Sequence, residues 1–188
     1  MIRIAIVFAA MLAFTSSANA QVPTPRTLAS SAADFRQTKV QAEKGDPVAQ
    51  LSLADFYREG VVVERDYAEA LRWARKAADQ NDSLAQYLVA GFYSEGWGVE
   101  KTESESLKWL LKAAYNGLNM AQESVAQHYY LGIAVEQNSV ESYAWLNLAA
   151  KTSKKAAEHR DDMEKWMTKA EVASAQERSR ELSTLISK

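Results

Sequence analysis

Residues 93–100 read YSEGWGVE, a tyrosine, two glycines and a tryptophan crowded into the middle of a chain otherwise rich in Ala, Leu and charged residues. A Gly-x-Gly beside an aromatic can cradle a phosphate, or let a sugar stack on Trp97, or simply punctuate two helices. The surrounding sequence decides between these. Stepping 36 residues in either direction from Tyr93 lands on Tyr57 and Tyr129, and the same step from Gly96 lands on Gly60 and Gly132. Val63, Val99 and Val135 share the frame. So do Trp73, Trp109 and Trp145, the pairs Ala49-Gln50, Ala85-Gln86 and Ala121-Gln122, and the Ala-Ala pairs at 77, 113 and 149. A fixed period of this length marks stacked supersecondary units. Gly98, in contrast, is matched by Val62 and Ala134, so no glycine pair recurs and the loop is expected to be punctuation. Trp97 stands opposite Val61 and Ile133, free either to pack on the connector or to present its ring outward.

Each unit divides into two helices. Asp46-Pro47 supplies a capping oxygen followed by a proline at the first helical position. Helix A then runs to about Glu59, with Ala49, Leu53 and Phe56/Tyr57 on one stripe. Gly60 can end it in the left-handed conformation. The second helix, B, is announced by Asp66-x-x-Glu69, Thr102-x-x-Glu105 and Asn138-x-x-Glu141, each the pattern of a reciprocal capping box. Leu118 stands where Asp46 and Asp82 do, which predicts a cap one residue later at Asn119; His128 stands where Phe56 and Phe92 do.

The unit Ala-x-x-x-Leu-(Gly/Ala)-x-x-Tyr-x-x-Gly-x-x-Val-x-x-Asp…Ala-x-x-Trp-x-x-x-Ala-Ala resembles the Sel-one-like repeat (SLR), a relative of the 34-residue tetratricopeptide repeat (TPR). Ala49, Leu53, Ala54, Tyr57, Gly60, Val63, Asp66, Ala70, Trp73, Ala77 and Ala78 carry it most fully; the second unit has Val89, Thr102 and Ser106 in place of Leu, Asp and Ala. The resemblance implies an all-α, right-handed α-solenoid of helix-turn-helix repeats whose concave face, lined by the A helices, holds a protein or peptide. It implies an adaptor or scaffold without chemistry of its own. Some exported bacterial members are linked to the cell wall or host contact. Several exported relatives carry a disulfide in every repeat, whereas this chain has no cysteine.

The expected organisation follows. Residues 1–20 have Arg3, an apolar run from Ile4 to Phe14 and the ending Ala18-Asn19-Ala20, the layout of a secretory signal cut after Ala20. The run is too short to span a bilayer, so a mature form without a membrane span, periplasmic or secreted, is expected. Residues 21–34 hold two of the three prolines and predict a flexible linker. Three repeats (about 43–78, 79–114 and 115–150) fill 35–151, with a capping helix from Phe35. Residues 152–188 predict two capping helices: Ala156, Met163, Trp166 and Met167 on one stripe, then a box at Thr168-x-x-Glu171 and Val172, Ala175, Leu182 and Ile186 on the other.

Composition narrows the function. Without Arg3 the chain carries 21 Lys and Arg against 24 Asp and Glu, about −3, which offers no basic field to nucleic acid. The absence of cysteine excludes thiolate nucleophiles and Cys-based metal sites. Neither a P-loop, a dinucleotide fingerprint nor a His-Glu-x-x-His occurs, so no catalytic residue, cofactor or metal is expected. His128 reads as a core substitute, His159 as a solvated residue on a mixed-charge face, and Asp161-Asp162 as surface charges about 100° apart on a helix. Positions flanking the helix A stripe are the candidate partner-binding residues: Leu51, Asp55, Arg58, Tyr87, Ser94, Glu123, Gln127 and Tyr130. They differ between units while the core stays constant, as a tuned surface would, although unconstrained exposed positions would vary too. The alternative partner is peptidoglycan or another glycan, held by Tyr87, Tyr130 and Trp97.

Overall fold

The computed structural model describes residues 25–186, and these are all-helical. The expected signal and residues 21–24 lie outside them. Helix A of the three repeats is α2 (Pro47–Glu59), α4 (Ser83–Glu95) and α6 (Asn119–Leu131); helix B is α3 (Tyr67–Ala78), α5 (Glu103–Tyr115) and α7 (Ser139–Ala149). Each A helix packs against its own B helix and the B helix before it, with α1 (Pro25–Glu43) taking the latter place for α2. Helices α8 (Lys154–Glu164) and α9 (Lys169–Ile186) close the other end.

Small and aromatic residues on the inner faces of the repeat helices do the packing. Ala54, Ala70, Ala74, Ala77, Ala113 and Ala149 are fully buried, so helix axes approach closely, and Trp73 and Trp145 fill the remaining volume. Two core clusters result, one across α1–α4 and one across α4–α9, and Trp109 packs against both. Burying such an aromatic removes on the order of 150–250 Å² from water, about 4–6 kcal/mol as an upper bound.

Backbone and side-chain amides then lock the register. Gly60, Gly96 and Gly132 end the A helices at φ 69°, 74° and 70°. The N–H groups of Asp66, Thr102 and Asn138 donate to the carbonyls of Tyr57, Tyr93 and Tyr129, each at 2.9 Å. This changes the expected capping boxes. Asp66 and Asn138 do accept from the Glu69 and Glu141 N–H groups, at 2.9 and 3.0 Å, but the return bond is absent because the cap N–H is already used by the tyrosine carbonyl. Thr102 caps nothing; its hydroxyl donates to Glu100 O. The full reciprocal box forms at Thr168–Glu171. Nor is Asn119 a cap. The cap position is Leu118, which has no side-chain acceptor, because the frame of α2 and α4 is kept; Asn119 pairs with Thr152 instead.

The expected linker also needs correcting, since helical backbone begins at Pro25 rather than near Phe35. Proline is compatible with a first helical turn, and the following TLASSAAD contains no glycine and several alanines, so it continues the helix that Phe35 anchors. Phe35 meets Phe56 and Tyr57 edge-on, at 5.5 and 5.9 Å between ring centroids.

In the YSEGWGVE loop, Trp97 is stacked on Tyr67 (5.3 Å, 12°) and meets Phe92 edge-on. That stack draws the connector onto the start of α3. A Cβ at Gly98 would stand 2.6 Å from the Tyr67 carbonyl carbon and the Ala68 nitrogen, and φ there is +67°. Gly98 is needed for close approach to protein backbone, not to a ligand.

Candidate docking face

Helices α2, α4 and α6 present equivalent positions at 36-residue steps. The first row, Val48, Leu84 and Met120, is apolar and exposed by 68%, 49% and 50%. Single exposed apolar residues are ordinary, but three at one repeat position form a ridge. Behind it stand Leu51, Tyr87 and Glu123, then Asp55, Gly91 and Gln127, then Arg58, Ser94 and Tyr130.

The candidate residues divide by what they touch. Leu51 packs against the first core cluster. Arg58 reaches Asp55 at 2.9 Å and Glu59 at 2.7 Å, a partly exposed network of modest energy. Ser94 donates to Gly91 O in its own helix. Tyr87, Glu123, Gln127 and Tyr130, by contrast, converge on one cleft of about 140 Å³ between α4, α6, α7 and α8. Its floor is Leu146 and Met163, and His159 stands on the α8 rim. Leu51, Asp55, Arg58 and Ser94 lie outside it.

Several side chains differ from expectation here. His159 lines the cleft rather than a purely solvated face. Trp166 does not join the core stripe; it is 53% exposed, with its ring 6.2 Å from that of Tyr130. The reason is local: α8 ends at Glu164, and the turn carries Trp166 outward. The ridge was missed although its signal, an apolar residue at 48, 84 and 120, was present in the frame. Of the three aromatics named for glycan stacking, Trp97 has one ring face covered by Tyr67.

Elsewhere the ionisable groups are engaged structurally. His128 Nδ1 lies 2.8 Å from Ser124 O, which fixes that nitrogen as a donor, and its Nε2 is 4.0 Å from Glu103. Asp161 pairs with Arg160, while Asp162 pairs with Lys165, whose ammonium holds the Asp162 carboxyl below the usual range. Burial raises the Tyr129 and Tyr143 hydroxyls, Tyr143 also through its bond to Glu164. Among the described residues no cluster of three or more His, Cys, Asp or Glu could hold a metal ion. No helix among them is long and apolar enough to cross a membrane.

Comparison with known proteins places this geometry. The Sel1 repeat model matches residues 47–82, 83–118 and 119–151, the three A–B units in the register described above. Among solved structures, a protective antigen present in uropathogenic Escherichia coli strains, displaying an SLR fold, is 31% identical with a TM-score of 0.72. The match covers 79% of this chain but 32% of that one, so the chain spans about a third of its length. A Sel1 repeat protein from Oxalobacter formigenes is 34% identical, with a TM-score of 0.63, over 69% of this chain and 98% of the other. No curated protein matches. With three matched units and the same fold in these structures, the chain belongs to the Sel1 repeat family, whose members are in general non-catalytic scaffolds for protein–protein interaction.

Proposed function

We propose that this protein is an exported, periplasmic scaffold that binds an extended segment of a protein partner along the A-helix face, without catalysis. The observation that carries this is the Val48–Leu84–Met120 ridge, repeated once per unit beside rows of differing polar and aromatic residues. Apolar side chains kept at a solvated position in every unit favour a partner that covers them. Export rests on the sequence of residues 1–20, whose apolar core and small-residue ending fit a cleaved signal.

Site-specific crosslinking tests the binding. A photoreactive residue at Leu84 or Met120, in cells producing the full chain, is expected to trap discrete protein adducts that the same residue at Lys108 on α5 does not. Identical adducts at both faces, or none from the ridge, would overturn the docking face. Cosedimentation with purified peptidoglycan, abolished by Tyr87→Ala or Tyr130→Ala, would instead favour the glycan partner. Fractionation with N-terminal sequencing tests export: the mature chain should start at Gln21 in the periplasmic fraction, and an uncut cytoplasmic chain would refute it.

A further inference from the structure

The cleft between α4, α6, α7 and α8 has a chemistry more specific than the ridge beside it. Its floor is apolar: Leu146 is 5% and Met163 2% exposed. The Ser142 hydroxyl that reaches it is already spent on Ala126 O at 2.8 Å. Tyr87 and Tyr130 line it with aromatic rings, and Glu123 brings a carboxylate to its edge. One turn away from Glu123 on either side stand Asn119, Met120 and Gln127, none of them cationic. The one basic side chain among the residues lining the cleft is His159 on the facing α8, and Glu123 takes part in none of the ion pairs of the described residues.

At about 140 Å³ the cleft is below the range of small-molecule sites, roughly 300–1,000 Å³, and is sized for a side chain. An aliphatic occupant would fill the floor but desolvate Glu123 without replacing its water. An acidic one would add repulsion. A long basic side chain satisfies every part: its methylene stem lies on Leu146 and Met163, and its cation reaches the carboxylate and the tyrosine rings.

We infer that this cleft is the socket for a Lys or Arg side chain of the partner segment, and so sets the register in which that segment lies on the ridge. This rests on the proposed docking face. The probe is a phage-displayed library of random nonapeptides panned on the full mature chain. Wild-type protein should enrich peptides with a fixed Lys or Arg. Glu123→Gln should weaken the best synthetic peptide roughly tenfold, the loss of one charge-assisted contact, and panning on Glu123→Lys should enrich Asp or Glu instead. Glu123 bonds no other side chain among the described residues, so both variants should keep the wild-type circular dichroism and melting midpoint.

Peptides that are enriched and lost on Leu84→Arg, yet show no basic preference and no response at Glu123, would overturn the socket and leave the docking face standing. Failure to enrich any peptide above uncoated beads would overturn both.

Discussion

Replacing Thr152 by Asn should stabilise the protein, because the third repeat lacks a hydrogen bond that the first two possess. Gln50, Gln86 and Gln122, one per A helix and each at least 96% buried, donate through Nε2 to the last-turn carbonyls of Ala42, Ala78 and Ala114 at 3.1, 3.2 and 3.3 Å. Each thereby ties an A helix to the helix before it. The amide oxygens differ. Gln50 Oε1 accepts from Gln80 Nε2, and Gln86 Oε1 from Asn116 Nδ2, both at 2.8 Å. Positions 80 and 116 continue to Thr152, whose short side chain bonds Asn119, and Gln122 Oε1 is buried without a partner among the described residues. An unsatisfied buried acceptor costs about 1–3 kcal/mol, and a hydrogen bond restored there returns about 1 kcal/mol net. The Thr152–Asn119 bond given up is exposed and worth little. Thr152→Asn should therefore raise the melting midpoint by about 2–4 °C for a chain of this size. Scanning calorimetry on the wild type, Thr152→Asn, Gln122→Leu and the double variant completes the cycle. No gain, or the same gain when residue 122 is Leu, would refute the assignment. The mirror substitution Asn116→Thr should lose about as much as Thr152→Asn gains.

The two non-capping glycines of α4 and its connector should respond in opposite directions. Gly98→Ala forces a Cβ to within 2.6 Å of the Tyr67–Ala68 backbone at positive φ and should cost about 2–4 kcal/mol in chemical denaturation; an unchanged midpoint would refute the close approach. Gly91→Ala, inside α4 with nothing within 4 Å of the new methyl, should gain about 0.5–1 kcal/mol in the same assay. At the C-terminal cap, the Glu171 carboxylate accepts from the Thr168 hydroxyl at 2.7 Å and N–H at 2.8 Å, and both donors hold it below its usual range. A depressed carboxyl contributes stability that is fully present above its unfolded value and is lost as pH falls through the folded one. An NMR titration of the Glu171 side-chain carboxyl should therefore give a midpoint below the ordinary glutamate range that Thr168→Val moves back up, and an unmoved midpoint in that variant would sink it.

How much of this was legible depended on whether a feature belonged to the period. Tyr, Gly and Trp at 36-residue steps carried the helices, their ends and the solenoid, because every unit repeats the same packing problem. The capping boxes misled because sequence spacing shows which atoms could pair, not that the Asp66, Thr102 and Asn138 N–H groups already serve tyrosine carbonyls. The start of α1 misled because prolines suggested a linker while the alanines after Pro25 favour a helix. The cleft was only half legible. Tyr87, Glu123, Gln127 and Tyr130 follow from the frame, but His159, Met163 and Trp166 lie past the last repeat, where no period places them.

That division bears on why specificity should concentrate at the C-terminal end. Along α2, α4 and α6 the frame residues are committed: the glutamines to carbonyls, the tyrosine carbonyls to the next cap, the alanines to helix approach. Variation is confined to the outward rows, which offer a ridge but little depth. Depth needs an element that breaks the repeat, and α8 supplies it. It follows α7 as α4 follows α3, yet α9 returns to pack on α7, held by Ser179 to Ala144 O at 3.0 Å and Arg178 to Glu141 at 2.7 Å. Released from an A–B hairpin, α8 can set Met163 and His159 along the cleft that α6 lines, while its following turn brings Trp166 beside Tyr130. The α8 helix, which helps to cap the core, thus also walls a recess of the face. A partner aligned along the ridge would meet its one chemically selective contact where the repeat stops.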